Sequence, residues 1–189
     1  DRPVVTTIGD STFFHMGLPG LASAVYNRHA FVLAILDNSI TAMTGGQANP
    51  AVGTKLRKGD EGRKVDIEGA CRGCGVEYVK TIEAYDVALG KTAIKEAWEH
   101  AKSRGEPAVV IFRHPCMLLR PEQSSIPVKV DPEKCIGCKF CSNFFNCPGL
   151  VFSAETRKAF IDARFCVSCG VCLSVCPHGA IVASSEEAE

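Results

Sequence analysis

Two cysteine-rich segments constrain the fold of this chain more than any other feature. The segment CIGCKFCSNFFNCPG covers residues 135–149, and CVSCGVCLSVCPHGA covers residues 166–180. Each contains Cys-x2-Cys-x2-Cys and then a Cys-Pro pair. Three thiolates at this spacing bind one face of a [4Fe–4S] cluster, while the cysteine before proline reaches the other cluster. The pattern therefore predicts two clusters with ligands exchanged between the segments.

The predicted ligands form two sets of four. They are Cys135, Cys138, Cys141 and Cys176 for the first cluster, and Cys166, Cys169, Cys172 and Cys147 for the second. Zinc in two four-cysteine sites is the alternative, but zinc ribbons use paired Cys-x2-Cys knuckles rather than triplets. We therefore expect residues 129–189 to form a small α+β two-cluster ferredoxin-like domain. Within it, we expect residues 158–163 to pair with a strand near residues 128–131.

Composition indicates where such a chain would work. It has 189 residues, 11 cysteines and a formal net charge of zero. The odd number of cysteines and their crowding in the last third favour metal-bound thiolates over disulfides. A neutral chain without a basic cluster is unlike a nucleic-acid-binding protein. No apolar run reaches the ~18 residues of a membrane span, and the first residues lack a signal-peptide pattern. We expect a cytoplasmic protein with no nucleic-acid or membrane partner.

The first 114 residues alternate between strand-like and helix-like segments. Predicted strands cover residues 3–8, 31–36, 76–82 and 107–112, and predicted helices cover 18–27, 65–74 and 86–104. This alternation predicts the α/β class, with a parallel sheet flanked by helices. The proline-containing segment 115–128 is interpreted as a linker between the two domains.

Two polar turns follow neighbouring predicted strands. Gly9-Asp10-Ser11 follows the first strand, and Asp37-Asn38-Ser39 follows the second. Ligands of parallel sheets bind at the carboxyl ends of strands, and Mg²⁺ prefers hard oxygen ligands. We therefore predict a Mg²⁺ site formed by Asp10, Asn38 and the carbonyl oxygen of Ile40. The alternative is that these are ordinary turn residues that end two strands.

The motifs of this front half resemble those of a known enzyme family. GDSTFFHMGLPGLASAVYN at residues 9–27, LDNSITAMTGGQ at 36–47 and FRHPC at 112–116 resemble indolepyruvate ferredoxin oxidoreductases, in their α subunit. That family belongs to the thiamine-diphosphate-dependent 2-oxoacid:ferredoxin oxidoreductases. The resemblance covers nearly the whole chain but only the C-terminal portion of the usual subunit. Ser11 stands where the general Gly-Asp-Gly motif has its second glycine.

The resemblance implies a fold, a set of cofactors and an activity. It implies a partial thiamine-diphosphate-binding fold that binds thiamine diphosphate and Mg²⁺. The activity would be oxidative decarboxylation of arylpyruvates such as indolepyruvate to aryl-acetyl-CoA, with electrons passing through the clusters to ferredoxin. Implied cofactor-binding residues are Gly9, Asp10, Ser11, Asn38, Ile40, Thr41, Thr44 and Gly45. His15 follows the first motif closely and is a candidate catalytic residue, although it could equally belong to the start of the next helix.

The resemblance also implies partners that this chain lacks. These are the β subunit, the upstream pyrimidine-binding domain that supplies the activating glutamate, ferredoxin, coenzyme A and the 2-oxoacid. The fragment alone is therefore expected to be inactive. Two alternatives stay open: an electron-transfer module with a non-catalytic docking domain, and the same chemistry on pyruvate or branched-chain 2-oxoacids. A third Cys-x2-Cys, at Cys71 and Cys74, is either a redox pair or two inert thiols, and we favour inert thiols. Cys116 is interpreted as a buried small side chain.

Overall fold

The computed structural model describes residues 3–53, 62–116 and 126–184. The chain divides into two compact units, residues 1–116 and 117–189. Much of the segment interpreted as a linker, residues 117–125, lies outside the described residues.

The first unit contains a four-stranded sheet with helices on both faces. Its strands are β1 (Val5–Gly9), β2 (Val32–Asp37), β3 (Val79–Glu83) and β4 (Ala108–Arg113). They lie in the order β1-β2-β4-β3, and all pairs are parallel. The predicted parallel sheet is confirmed, and it brings the carboxyl ends of β1, β2 and β4 to one edge.

The helices alternate with these strands. After β1 the chain continues directly into α1 (Asp10–Thr12), a π-helix (Phe13–Gly17) and α2 (Leu18–Tyr26). A 3₁₀ turn (Ala42–Thr44) follows β2, then α3 (Ile67–Gly73) precedes β3 and α4 (Val87–Arg104) precedes β4. Asp86 caps α4 by accepting from the Leu89 N–H at 2.8 Å, and Gly105 ends it in the left-handed region, as helix-terminal residues of these types commonly do.

Alternate residues of the central strands pack against different helices. Leu33 and Ile35 of β2 belong to a core cluster with Leu21 of α2 and Ile67 of α3. Val32 of the same strand belongs to a second cluster, with the α4 alanines Ala93, Ala97 and Ala101. This is the period-2 alternation of a strand that is buried on both faces. The two cores hold the strands rigidly, so the polar residues at their carboxyl ends have defined positions.

The second unit contains two small antiparallel pairs around the cysteine segments. β5 (Val128–Val130) pairs with β8 (Ile181–Ala183), and β6 (Leu150–Ser153) pairs with β7 (Lys158–Ile161). A π-helix (Cys141–Phe145) and a 3₁₀ turn (Val171–Ser174) complete the unit.

One predicted strand pairing was wrong. Residues 158–163 were expected to pair near residues 128–131, but Lys158 opposes Ser153 in the register instead. The turn between them is short and contains Arg157 in the left-handed region, at φ 56°. A tight hairpin closes with little loss of chain entropy, so the local partner is preferred over one about thirty residues away.

Candidate functional site

Asp10 lies at the carboxyl end of β1 and has one oxygen without a partner. Its Oδ1 accepts a hydrogen bond from the Ser11 N–H at 2.7 Å. Its Oδ2 is buried and has no hydrogen-bond partner among the residues that the structure describes. A buried oxygen left in this state costs free energy, and a carboxylate oxygen is a preferred ligand of Mg²⁺. The chemistry of this atom therefore fits a divalent cation.

The surroundings of Asp10 disfavour its ionised form in the absence of a cation. Burial is the main cause that raises the pKa of Asp10, and the Asp37 carboxylate raises it further. The Ser11 and Ser39 N–H groups and the Asn49 side chain act in the opposite direction. A bound divalent cation would stabilise the carboxylate and lower its pKa.

The turn after β2 lies beside Asp10. Gly9 is the register partner of Leu36, so the two strands end side by side. The Ser39 N–H lies close enough to lower the pKa of Asp10. Asn38 is half-buried, and its Oδ1 accepts from the Ile40 N–H at 3.2 Å. An amide oxygen has two lone pairs, so this bond leaves one for a metal ion.

Asn49 belongs to the same site, although the sequence did not identify it. It is 5% exposed, and its Oδ1 accepts from the Ala51 N–H at 2.9 Å. Its Nδ2 is buried and finds no hydrogen-bond partner in residues 3–53, 62–116 or 126–184. The Asn49 side chain lies close enough to Asp10 to lower the pKa of its carboxyl, yet within the described parts of the chain neither Asp10 Oδ2 nor Asn49 Nδ2 has a partner within hydrogen-bond geometry. By its chemistry, Asp10 Oδ2 can bind a cation and Asn49 Nδ2 can donate to an anionic oxygen. In the sequence, the Asn49-Pro50 pair after Gly45-Gly46 was the only local feature that could have indicated Asn49 as a site residue.

The glycine-rich loop of residues 41–47 is held by hydrogen bonds between its own residues. Thr41 donates its N–H to the Gln47 carbonyl at 2.9 Å, and the Gly45 N–H donates to the Ala42 carbonyl at 3.2 Å. Thr44 is exposed, and its hydroxyl donates to Gln47 Oε1 at 2.6 Å. The predicted anion-binding groups of Thr44 and Gly45 are thus engaged within the loop. A Cβ built at Gly9 would meet no atom of the described residues within 4 Å.

His15 lies on the π-helix rather than in a turn before the first helix. The helical path begins at Asp10, five residues earlier than His15. His15 is exposed, and its Nδ1 lies 2.7 Å from the Ser11 carbonyl oxygen. This carbonyl can only accept, so Nδ1 carries the proton and Nε2 is the free nitrogen when the ring is neutral.

The first predicted set of cysteines lies around one cavity of the second unit. Cys135, Cys138, Cys141 and Cys176 all line it. Burial is the main cause that raises the pKa of Cys141, and Cys138 and Cys176 raise it further. Cys176 comes from the second cysteine segment, so the structure brings together residues of both segments here.

The second predicted set is also grouped. Burial raises the pKa of Cys172 to about 11, and the neighbouring Cys169, Cys147 and Cys166 add to the effect. The Cys172 thiol therefore resists ionisation unless a metal takes up its charge, because metal binding requires a thiolate. Both groups of four therefore fit iron–sulfur clusters in number and in chemistry.

Backbone geometry supports the cysteine loops. Gly137 and Gly170 both have φ near +70°, at 71° and 72°, a region that glycine adopts without a steric penalty. The Ala159 N–H lies 3.5 Å from Cys135 Sγ, and the Ala180 N–H lies 3.4 Å from Cys176 Sγ. Such N–H donors to sulfur are among the features that tune the potential of a cluster.

The remaining cysteines are in the first unit. Cys71 lies on α3 and is fully buried in the core, and burial raises its pKa to about 12. A buried thiol of this kind is inert. Cys74 is half-buried, with its Sγ 4.0 Å from the Leu18 carbonyl oxygen. Cys116 is half-buried rather than buried, and its N–H donates to the Asn38 carbonyl.

The first unit matches a known family model. Residues 1–112 match the thiamine pyrophosphate enzyme family in its C-terminal TPP binding domain. Residues 127–178 match a 4Fe-4S dicluster domain. Among the described residues, no helix is both long enough and apolar enough to cross a membrane.

Two of three curated relatives match nearly the whole chain, and the third matches about a third of it. Indolepyruvate oxidoreductase subunit IorA of Methanothermobacter marburgensis is 45% identical over 178 residues, 94% of this chain and 28% of that protein. IorA of Pyrococcus horikoshii is 42% identical over 183 residues, 94% of this chain and 27% of that protein. Pyruvate synthase subunit PorD of Methanocaldococcus jannaschii is 37% identical over 59 residues, 31% of this chain and 66% of that protein. The chain thus spans less than a third of the length of these IorA relatives.

Proposed function

Because this chain belongs to the thiamine pyrophosphate enzyme family through its C-terminal TPP-binding domain, we propose that it is part of the catalytic subunit of a thiamine-diphosphate-dependent 2-oxoacid:ferredoxin oxidoreductase. In this reaction a 2-oxoacid, coenzyme A and two oxidised ferredoxins give an acyl-CoA, CO₂, a proton and two reduced ferredoxins. One observation carries the proposal. The same chain holds an unpaired buried carboxylate oxygen at a strand end and two groups of four cysteines.

The residues of the first unit would bind the cofactor. Asp10, Asn38 and the Ile40 carbonyl would hold Mg²⁺, and the Asn49 amide would donate to a diphosphate oxygen. The residues that would line the diphosphate site are Gly9, Ser11, Thr41, Thr44 and Gly45. The Thr44 hydroxyl and the Gly45 N–H would exchange their partners within the loop for diphosphate oxygens. Thiamine diphosphate, when bound, supplies the carbanion and the electron sink for decarboxylation. His15 would act by exchanging a proton at Nε2, because its Nδ1 is held by the Ser11 carbonyl.

The residues of the second unit would carry the electrons. Cys135, Cys138, Cys141 and Cys176 would bind one [4Fe–4S] cluster. The second cluster would be bound by Cys166, Cys169, Cys172 and Cys147. Each cluster accepts one electron at a time, so together they match the two electrons released per 2-oxoacid. The thiolate-rich composition supports a reducing cytoplasm as the place of action.

We propose arylpyruvates, such as indolepyruvate, as the substrates, and aryl-acetyl-CoA as the product. The names of the IorA relatives support this choice. The proposed partners are a β subunit, a pyrimidine-binding domain and ferredoxin. Pyruvate and branched-chain 2-oxoacids are the competing substrates, and they are distinguished by assay.

The experiment uses the full-length subunit with its β subunit, purified without oxygen. Reduction of ferredoxin is measured with indolepyruvate, phenylpyruvate, pyruvate and a branched-chain 2-oxoacid, each with coenzyme A. We expect the two aryl substrates to give a kcat/KM at least tenfold above the others. We expect Asp10→Ala to abolish substrate-dependent reduction while dithionite still reduces the clusters.

Asp66→Ala is the matched control, since Asp66 is an aspartate of the same unit that caps α3 through the Gly69 N–H at 2.7 Å. It should retain activity. Full activity in Asp10→Ala would overturn the proposed cofactor site. Preference for pyruvate would overturn only the substrate class.

A further inference from the structure

The segment after β4 lies along the turn that contains Asn38. Asp37 and Arg113 are register partners at the ends of β2 and β4. Beyond them, the His114 N–H donates to the Asp37 carbonyl at 3.0 Å, and the Cys116 N–H donates to the Asn38 carbonyl at 2.9 Å. These bonds continue the contact of the two strands past the end of the sheet, so residues 113–116 support the turn from one side.

The side chain of Arg113 binds the side chain of Asp37. Its Nε donates to Asp37 Oδ2 at 2.7 Å. The Asp37 side chain is only 3% exposed. The Arg113 guanidinium also lies 4.0 Å from Glu68, and Glu68 Oε1 accepts from the Thr81 hydroxyl at 2.6 Å. A buried carboxylate needs a partner of opposite charge, and Arg113 is that partner. On its other side the guanidinium lies beside Glu68 of α3, which is bonded to Thr81 of β3.

The second oxygen of Asp37 binds the turn itself. Its Oδ1 accepts from the Ser39 N–H at 3.2 Å and lies 3.4 Å from the Ser39 hydroxyl. Ser39 has φ 60°, which is unfavourable for a residue with a Cβ. The carboxylate therefore stabilises a conformation that serine would not adopt alone. That conformation sets the direction of Asn38 and of the Ile40 carbonyl.

The two buried aspartates of this edge thus have different environments. Asp37 is paired with a cation and with the Ser39 N–H. Asp10 keeps an unpaired oxygen. The arrangement gives Asp37 a supporting role and leaves Asp10 for a ligand.

We propose that Arg113 is a positioning residue that fixes the Asn38–Ile40 turn for metal binding through the Asp37 carboxylate. The inference rests on the proposed function for its metal ion. Its structural part concerns the protein without cofactor and can be tested separately.

The test compares Arg113→Gln, Arg113→Lys and Arg104→Gln in the full-length subunit with its β subunit. Arg104 is the matched control, because it forms an exposed ion pair with Glu77 at 2.9 Å. The first measurement is amide hydrogen exchange of residues 38–40 without cofactor. We expect Arg113→Gln to speed this exchange at least tenfold, and Arg113→Lys to restore part of the protection by retaining the charge.

The second measurement is the Mg²⁺ concentration needed for half-maximal binding of thiamine diphosphate. We expect Arg113→Gln to raise it at least tenfold and Arg104→Gln to leave it unchanged. The double variant Asp37→Asn/Arg113→Gln should be no worse than Asp37→Asn alone, since both residues act through the same contacts.

Three results separate the possible failures. Unchanged exchange and unchanged Mg²⁺ requirement in Arg113→Gln would overturn the inference. An equal rise in exchange throughout α4 would also overturn it, because Arg113 would then stabilise the whole unit. If the unmodified protein binds no thiamine diphosphate, the proposed function fails, while faster exchange confined to residues 38–40 would still support the positioning role of Arg113 in the turn.

Discussion

Asp10 and Asp37 are both buried at the carboxyl ends of adjacent parallel strands, yet Asp37 is paired with Arg113 while Asp10 has an unpaired oxygen. The Asp37 charge adds to the effect of burial and raises the pKa of Asp10. Without a cation, Asp10 is therefore an unfavourable feature of the fold. A divalent ion bound beside Asp10 would offset this cost.

Replacing Asp10 by asparagine should stabilise the protein without cofactor. The substitution removes a buried charge that lacks a full set of partners, with an expected gain of about 1–3 kcal/mol. Burial raises the pKa of Asp10 in the folded protein. The stability contributed by its neutral carboxyl is therefore fully present below the ordinary pKa of an aspartate, and it is lost as the pH rises through the raised pKa. The gain in melting temperature for Asp10→Asn should therefore increase with pH.

Added Mg²⁺ provides the check on that substitution. It should raise the melting temperature of the wild type and leave that of Asp10→Asn unchanged. A variant that is less stable than the wild type at neutral pH would contradict this account of Asp10.

The exchange of cysteines between segments predicts which substitutions share a phenotype. Cys176→Ser should remove the same cluster as Cys138→Ser, although the two residues lie in different segments. Cys147→Ser and Cys169→Ser should remove the other cluster. Iron content should fall from about eight to about four atoms per chain in each case. Electron paramagnetic resonance of the remaining cluster tests the pairing.

Cys74→Ser is the control for iron content and should keep both clusters. If Cys176→Ser and Cys169→Ser left identical spectra, ligand sets confined to each segment would be correct instead.

Two glycines of the second unit separate steric contact from backbone strain. A Cβ at Gly137 would lie 2.3 Å from the Arg157 carbonyl oxygen, whereas one at Gly179 would meet nothing within 4 Å. Their φ angles are similar, at 71° and 62°. Alanine at Gly179 should cost about 1–2 kcal/mol of unfolding free energy from strain alone, and alanine at Gly137 should cost clearly more. Melting of the cluster-loaded protein, followed by visible absorption, measures both, and equal losses would refute the close contact.

Cys71 should be chemically silent in the folded protein. Burial raises its pKa to about 12, so little thiolate exists at pH 8. Iodoacetamide should modify Cys71 only after unfolding, as measured by mass spectrometry, with exposed-thiol peptides as the internal control. Because the folded pKa is raised, the stability due to the neutral thiol is present below the ordinary pKa of 9.0 and is lost as the pH rises towards 12. Rapid labelling of the native protein would show that Cys71 is accessible.

The sheet was predictable because its strands carry their own signal. The apolar runs at β2 and β4 and the helical period of α4 are local patterns that tertiary contacts reinforce. The helix at Asp10 was missed because the following residues form a π-helix, which lacks the 3.6-residue period. The predicted pairing of β7 was wrong because a strand of four residues does not indicate its partner. The partner becomes clear only once the turn between β6 and β7 is known.

The candidate site was predictable only in part, for a related reason. Asp10 and Asn38 stand in recognisable motifs at strand ends. Arg113 meets Asp37 across 76 positions of the chain, and Asn49 reaches the site through the path of a loop. Such contacts depend on how elements pack, which no local pattern contains.

The crossed arrangement of the cysteines has a consequence for biosynthesis. Cys176 groups with Cys138 and Cys141, which leave the ribosome 38 and 35 residues before it. Cys147 groups with Cys166, Cys169 and Cys172, which are translated after it. With these ligand sets, neither iron cubane could be closed on a half-made module. A nascent chain that ends between the two cysteine segments would carry unliganded thiols and no complete cluster. Insertion of the clusters would therefore follow translation of both segments.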